Sequence, residues 1–217
     1  NVWEKRGLKT YRASVIYDGV RAELYQSRCS AKSDKLRMIF LGGYAKSKGQ
    51  EDLIDALKNL SQELKKQFEI DFYGNGAEAY IKYLKIKIDQ NGLSDVMKLH
   101  SYQQDIWKKI SQYDVGLTCS HGEGFGRVTV EYMMAGLCPI ASNGGASPEI
   151  IDDKKTGILY EVLNKDALRK AVIWAIHNQD AVHKFGENAK KSARLNFSME
   201  KHASEIKKLY YEVAKDV

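Results

Sequence analysis

Short apolar runs alternate with longer amphipathic stretches along residues 36–160 of this 217-residue chain. The runs are three to six residues long, which suits buried strands, and the stretches between them carry apolar residues at helical spacing, such as Leu53, Leu57 and Leu60. Strands joined by helices of this length form right-handed crossovers and hence parallel sheets. The pattern predicts an open, doubly wound α/β sheet of about six strands, followed from residue 164 by C-terminal helices in three pieces. The predicted strands are residues 36–41, 68–73, 96–100, 115–119, 137–141 and 158–160, and the helices between them are residues 50–64, 77–90, 104–111 and 128–135.

Residues 1–35 do not share this pattern. Residues 15–17 (VIY) are apolar enough for a strand, but residues 21–34 are polar and irregular. We therefore expect this segment to be a linker that leads into the domain rather than a part of its core. The chain starts at Asn1 without an initiator Met, and we expect it to begin inside a longer protein.

Composition excludes several classes of protein. An apolar fraction of 43% is too high for a disordered chain, and the sequence has no run of about 18 apolar residues that would predict a membrane-spanning helix. The net charge of +6 suits a phosphate-bearing ligand, an anionic membrane surface or a nucleic acid. Because the lysines are spread over the whole chain rather than clustered, we do not expect a nucleic-acid partner.

Three glycine-rich turns follow predicted strands, at Gly42-Gly43, Gly122–Gly126 and Gly144-Gly145. In doubly wound sheets, ligands bind outside the carboxyl ends of the strands. Glycine allows the backbone to approach a ligand closely, and a following helix offers free N–H groups with partial positive charge. The turns are therefore compatible with a diphosphate site, although many α/β proteins use such turns only to reverse the chain.

Two carboxylates, Glu123 and Glu131, stand eight residues apart, one in a glycine-rich loop and one in the next predicted helix. Eight helical residues rise about 12 Å, which is comparable to the distance between the hexose and the ribose of a nucleotide-sugar. A carboxylate can accept hydrogen bonds from two neighbouring hydroxyl groups. The spacing is thus compatible with a nucleotide-sugar held at both ends, and equally with two solvated surface glutamates.

Motifs along nearly the whole chain resemble a known family. The loop and helix with Glu123 and Glu131 resemble the E-x7-E region of the retaining GT-B glycosyltransferases of family 4, also called glycosyl transferases group 1. From about residue 15 to the C-terminus, further segments match that family in order and spacing. These are residues 15–20 (VIYDGV, with Asp18 in place of Asn), residues 39–49 with the first phosphate-binding turn, residues 73–76 (YGNG) and residues 141–151 (ASNGGASPEII).

The resemblance implies a role for each matching residue. Glu123 would contact hydroxyl groups of the donor sugar, Lys48 would neutralise the diphosphate, and these two would be the catalytic residues. Glu131 would bind the ribose. The remaining donor-binding residues implied by the resemblance are Gly42 and Gly43 at the diphosphate, Gly124, Phe125, Gly126 and Arg127 at the sugar and phosphate, and Gly74, Asn75, Ser101 and Tyr102 near the base. His121 would either touch the sugar or be an ordinary loop residue.

The chain departs from the family at the first turn. Gly43 stands where the family usually has Arg, so one of two diphosphate cations is absent, and Lys46 or Arg127 would have to compensate. The resemblance implies neither a metal nor another cofactor, and the sequence has no DxD-like pair at a strand end, since Asp152-Asp153 lies in a polar turn.

The resemblance also implies a domain organisation and an activity. Residues 1–35 would lead from a missing N-terminal acceptor domain, residues 36–195 would form a Rossmann-like nucleotide-sugar-binding domain, and residues 196–217 would form a helix that crosses back toward the missing domain. The chain would be the donor half of a retaining enzyme that transfers a hexose, most simply from a UDP-sugar, to a polysaccharide or glycolipid acceptor. Such an enzyme would be cytoplasmic, with possible peripheral association at the inner face of the plasma membrane. Two alternatives remain open, namely an accessory module that binds nucleotide-sugar without catalysis and a GT-B-like nucleotide-sugar epimerase.

Overall fold

The fold is centred on one parallel sheet. The computed structural model of the protein describes residues 14–26 and 35–215. Six strands lie in the order β3-β2-β1-β4-β5-β6, and all their pairings are parallel. The strands are β1 (Leu36–Leu41), β2 (Phe68–Gly74), β3 (Met97–Ser101), β4 (Val115–Thr118), β5 (Cys138–Ser142) and β6 (Ile158–Tyr160). This confirms the predicted doubly wound α/β sheet of about six strands.

Helices cover both faces of the sheet and continue beyond its last strand. Short 3₁₀ turns at Ala22–Leu24 and Lys46–Lys48 precede β1 and the first helix. The helices are α1 (Gln50–Leu57), α2 (Gln62–Lys65), α3 (Glu78–Gln90), α4 (Trp107–Ile110), α5 (Arg127–Ala135), α6 (Ser147–Ile150), α7 (Lys165–His177), α8 (Gln179–Asn196) and α9 (Met199–Lys215). The C-terminal region thus consists of three helices, as predicted, and they meet near Gln179 and Phe197.

Strand β1 lies at the centre of the sheet, and its neighbours create the expected ligand position. Met38 of β1 pairs with Ile70 of β2 on one side and with Val115 of β4 on the other. The chain turns toward one edge of the sheet after β1 and toward the other edge after β4. The carboxyl ends of β1 and β4 therefore form the topological switch point, where such sheets bind their ligands.

Both faces of the sheet are buried, which explains the nearly continuous apolar strands. Met38 and Phe40 belong to the cluster that packs against α1, α3 and α7. Ile39 points to the opposite face and belongs to the cluster formed with α5 and α8, which contains Tyr132 and Ala189. Successive residues of one strand thus serve two separate cores.

One predicted helix is wrong in its extent, and the structure adds two details that the sequence did not predict. The helix predicted at residues 50–64 is two helices, because Ser61 adopts an extended backbone and its side chain accepts a hydrogen bond from the Leu64 N–H at the start of α2. Residues 15–17, which are apolar enough for a strand, form none. The sequence predicted no element for Ser147–Ile150, and this segment is a short helix with Pro148 in its first turn.

The leading segment packs more closely on the domain than a linker outside the core would. Val20 and Tyr25 are buried within the cluster around α5 and α8. The Tyr17 hydroxyl donates to Glu149 Oε2 (2.7 Å), and the Val20 N–H donates to the Phe197 carbonyl (2.9 Å). The expectation that this segment lies outside the core is therefore wrong for Val20 and Tyr25. Residues 1–13 and 27–34 of the segment lie outside the described residues.

Tyr132 joins α5 to the two central strands, and its hydroxyl gives a test of the fold. The Tyr132 side chain is fully buried, its hydroxyl accepts from the Leu41 N–H (2.6 Å) and it donates to the Leu117 carbonyl (3.3 Å). Tyr132→Phe leaves the Leu41 N–H without this acceptor at the end of β1. We expect the free energy of unfolding to fall by about 1–3 kcal/mol, measured by urea denaturation. Tyr211→Phe, at an exposed tyrosine of α9, is the control and is expected to stay within about 0.5 kcal/mol of the parent protein.

Candidate functional site

A cleft of about 390 Å³ opens at the carboxyl ends of β1 and β4, at the switch point. Seven residues that the sequence predicted for the donor site line this cleft, namely Gly42, Gly43, Lys48, Glu123, Phe125, Gly126 and Arg127. Its wall is completed by Asp18 from the leading segment, Phe40 and Leu41 of β1, Thr118, Ser120 and Val128. The structure therefore brings the first and second glycine-rich turns together around one cavity.

The two predicted catalytic side chains meet in this cleft. Lys48 Nζ lies 2.8 Å from Glu123 Oε1, and both side chains are partly exposed. The hydroxyl of Ser120 donates to the same oxygen at 2.5 Å. Glu123 is thus an ionised acceptor beside a cation, at a place where a ligand could replace part of the ion pair.

The backbone of Glu123 is held by the third glycine-rich turn. Glu123 forms a bridge with Gly145, and the Ala146 N–H donates to the Glu123 carbonyl (3.0 Å). Gly145 has a φ of +69°, and a Cβ at this position would lie 2.2 Å from the Glu123 carbonyl oxygen. A side chain at residue 145 is therefore excluded by both conformation and space. The turn after β5 positions Glu123 even though it does not line the cleft.

Helix α5 begins at the edge of the cleft. Gly126 precedes it with a φ of +90°, and no side chain caps its first turn. The first N–H groups of such a helix lack intrahelical partners, and they carry partial positive charge. Together with Lys48 and Arg127, they make this end of the cleft suitable for an anionic group such as a diphosphate.

Glu131 lies one turn further along α5 and does not line the 390 Å³ cleft. Burial raises the pKa of the Glu131 carboxyl, and this effect is partly offset by the charge of Arg127 and by a hydrogen bond donated by the Tyr25 hydroxyl. The folded protein therefore stabilises the ionised carboxylate poorly. A ligand hydroxyl that donates to Glu131 would compensate part of that cost.

A second cleft of about 280 Å³ contains the residues predicted near the base. Gly74, Asn75 and Ser101 line it, together with Tyr44 of the first turn, Gly76 of the turn after β2, Ile81 and Lys85 of α3, and Leu99 and His100 of β3. Tyr102 does not line it, but its N–H donates to Asn75 Oδ1 (3.2 Å). The turn after β1 and the turn after β2 are hydrogen-bonded to each other, since the Tyr44 N–H donates to the Asn75 carbonyl (2.8 Å).

The side chain of His121 is directed to another partner. Its Nε2 lies 2.8 Å from Asp52 Oδ2 of α1, and the backbone N–H of His121 donates to the Ser47 carbonyl at 2.9 Å. Neither His121 nor Gly124 lines the first cleft. A direct contact of His121 with the sugar stays a prediction, while its structural role is to attach the loop after β4 to α1.

Sequence reasoning missed Ser120. Ser120 is buried and lines the cleft, and its hydroxyl donates a hydrogen bond to Glu123 Oε1. The sequence did place Ser120 directly after a predicted strand, at the edge of the sheet where a ligand was expected. No sequence pattern, however, shows where a serine hydroxyl points.

Within residues 14–26 and 35–215, no group of three or more His, Cys, Asp or Glu side chains is arranged to hold a metal ion. No helix in the same ranges is long and apolar enough to cross a membrane.

Comparison with known proteins places this geometry in a family. Residues 24–192 match the family described as glycosyl transferases group 1. The chain is 30% identical over 206 residues to an uncharacterized glycosyltransferase from Methanocaldococcus jannaschii, covering 94% of this chain and 54% of the relative. It is also 30% identical over 141 residues to a lipopolysaccharide core biosynthesis mannosyltransferase from Rhizobium leguminosarum, covering 64% of this chain and 39% of the relative.

A solved structure shares the fold. The crystal structure of HepE from Anabaena, in complex with UDP and glucose, superimposes with a TM-score of 0.85 at 22% identity, over 96% of this chain and 59% of that one. The chain spans about half the length, or less, of the curated relatives that it matches. The matched segment contains both glycine-rich turns of the cleft, Lys48, Glu123 and Glu131, and the chain belongs to the glycosyl transferases group 1 family.

Proposed function

We propose that this chain is the donor-binding half of a retaining glycosyltransferase that transfers a hexose from a UDP-sugar. The observation that carries the proposal is the Lys48–Glu123 pair in the switch-point cleft, at the N-terminus of α5. A cation and a helix N-terminus suit a diphosphate, and a carboxylate beside them suits sugar hydroxyl groups. The UDP in the structure of the Anabaena protein supports the choice of nucleotide.

The proposed chemistry needs little from the protein besides charge and position. Breaking the bond between the sugar and the diphosphate develops negative charge on the departing oxygens. Lys48 and the first N–H groups of α5 stabilise that charge more strongly in the transition state than in the ground state. The acceptor attacks on the face of the sugar that the diphosphate leaves, and the leaving phosphate takes the acceptor proton. Glu123 orients the sugar, and neither a metal nor a nucleophilic carboxylate is required.

The acceptor would bind outside the described residues. Helix α9 carries Ile206, Tyr210 and Val213 at helical spacing, and Tyr210 and Val213 are 73% and 57% exposed. We propose that this face packs on an N-terminal, acceptor-binding half. The similarity to a lipopolysaccharide mannosyltransferase supports a polysaccharide or glycolipid acceptor, and we propose that the enzyme acts in the cytoplasm at the membrane surface.

A panel of nucleotide-sugars tests the proposal. At a concentration of 100 times Kd, a ligand that binds only the folded state stabilises it by about 2.7 kcal/mol. For a chain of this size, we expect UDP-glucose or UDP-galactose to raise Tm by about 5–10 °C. GDP-mannose and ADP-glucose serve as base controls, and a Tm that no nucleotide-sugar changes would contradict the proposed function.

One observation favours the binding module as a second candidate. Gly43 stands where the resemblance leads us to expect an arginine that binds the diphosphate. The absence of this cation is expected to weaken catalysis more than binding. A full-length protein that binds a UDP-sugar but neither transfers nor hydrolyses it would establish this alternative. We expect the present chain alone to bind donor and to transfer sugar poorly, because the proposed acceptor site is not in it.

A further inference from the structure

Ser120 is fixed at the base of the cleft by bonds from two directions. It stands two residues beyond Thr118, the last residue of β4, and it is 3% exposed. Its carbonyl accepts a hydrogen bond from the hydroxyl of Ser142, which is itself buried at the end of β5. Its own hydroxyl donates to Glu123 Oε1 at 2.5 Å. The hydroxyl is therefore anchored to the sheet and directed at one oxygen of a partly exposed carboxylate.

Both donors to the Glu123 carboxylate use the same oxygen. Lys48 Nζ and the Ser120 hydroxyl both lie within hydrogen-bond distance of Oε1. No side chain or backbone group among the described residues donates to Oε2. A carboxylate held through one oxygen presents the other in a defined direction. Oε2 is thus the acceptor that remains for a ligand hydroxyl.

The two donors differ in what ligand binding would do to them. Lys48 is a flexible, partly exposed cation, and a diphosphate in the cleft would compete with Glu123 for its ammonium group. Ser120 is buried and uncharged, so a diphosphate has no comparable attraction for it. If Lys48 turns to a diphosphate, the Ser120 hydroxyl is the donor that would still hold Oε1.

We propose that Ser120 is a positioning residue that keeps the Glu123 carboxylate aimed at the donor sugar while Lys48 binds the diphosphate. This inference rests on the proposed function, since it assigns Glu123 to the sugar and Lys48 to the diphosphate. Ser120 need not touch the substrate. It acts through Glu123, and its contribution appears only with ligands that carry a sugar.

Comparing UDP-glucose with UDP in Ser120→Ala tests this role. We expect the Kd of UDP-glucose to rise about tenfold, because a hydrogen bond to a charged group is lost and the carboxylate is free to turn. We expect the Kd of UDP to change less than twofold. Ser94→Ala is the matched control, since the Ser94 hydroxyl also donates to a carboxylate, Asp89 (3.2 Å), but in an exposed turn. Titration calorimetry measures the affinity of each protein for both ligands, and GDP-mannose with GDP replaces the pair if only that donor shifts Tm in the panel.

The outcomes separate this inference from the proposed function. If Ser120→Ala binds UDP-glucose as tightly as the parent protein does, or loses affinity for both ligands alike, the positioning role is overturned and the donor site stands. If the parent protein binds no nucleotide-sugar, the proposed function and this inference both fail. Ser120→Cys keeps a weak donor of similar size and is expected to fall between the parent protein and Ser120→Ala. An unchanged Tm in the absence of ligand shows that the variants are folded.

Discussion

Replacing Lys48 with alanine is expected to weaken the binding of UDP and of UDP-sugars by about tenfold to a hundredfold. Lys48 is a cation in the wall of the cleft, and Gly43 leaves the first turn without the arginine that the family usually has there. A charge-assisted hydrogen bond to phosphate contributes about 1.5–3 kcal/mol. The substitution also removes the ion-pair partner that lies 2.8 Å from Glu123. The negative charge of the Glu123 carboxylate is then no longer balanced by Lys48, and it repels the diphosphate. Titration calorimetry with UDP at low and moderate salt measures the change.

Lys46→Ala is the matched control for this prediction. Lys46 lies in the same 3₁₀ turn as Lys48, but it is exposed and does not line the cleft. Its replacement removes the same long-range charge and is expected to change the Kd of UDP less than threefold at moderate salt. If both variants lose affinity equally, the effect is general electrostatic attraction, and the assignment of Lys48 to the diphosphate is wrong.

The strands of the sheet could be predicted from the sequence because polar residues or glycines stand at the ends of the apolar runs. The bounds of β1 agree residue for residue with the prediction, since an apolar run stands between Lys35 and Gly42-Gly43. The prediction of one helix over residues 50–64 was wrong because no such residue marks the break within it. Apolar spacing continues through Leu60 and Leu64, although Ser61 starts a new helix. Spacing reports which face is buried, and it does not report whether the backbone is continuous.

The candidate site was predictable in its charged residues and not in its hydrogen-bonded support. Lys48 and Glu123 are 75 residues apart and meet because β1 and β4 are neighbours. The resemblance to the family implied only that both residues serve one donor site. The contribution of Gly145 depends on a turn that approaches the Glu123 carbonyl through space. The hydroxyl of Ser120 depends on a rotamer that packing sets. Neither kind of information has a period or a spacing in the sequence.

The donor site conflicts with the stability of the fold at Glu131. Burial raises the pKa of its carboxyl, so the folded chain binds this proton more tightly than the unfolded chain does. As pH rises from the usual range of a glutamate through the raised pKa, the unfolded chain releases its proton first, and the free energy of unfolding falls. At neutral pH, the ionised carboxylate therefore costs stability. A residue that destabilises the free protein is expected where a ligand supplies the missing hydrogen bonds.

Glu131→Gln is accordingly expected to stabilise the free protein and to weaken its binding of UDP by up to about a hundredfold. The amide has no charge to bury, and its oxygen can still accept from the Tyr25 hydroxyl. The higher Tm should be present at pH 7 to 8 and should disappear near pH 4, where Glu131 is also neutral. Weaker binding is expected because we propose that Glu131 accepts from two ribose hydroxyl groups, whose lost ionised acceptor is worth about 1–3 kcal/mol for the pair. Thermal unfolding against pH and calorimetry with UDP measure the two effects.

Two comparisons make this prediction specific. Glu187→Gln neutralises an exposed glutamate of α8 and is expected to change neither Tm nor the Kd of UDP appreciably. The analogue 2′-deoxy-UDP lacks one of the hydroxyl groups assigned to Glu131, so the parent protein should prefer UDP over it and Glu131→Gln should not. A variant that gains stability but keeps the preference for UDP would assign the ribose to another residue, because burial of the charge and recognition of the hydroxyl would then be separate properties of the site.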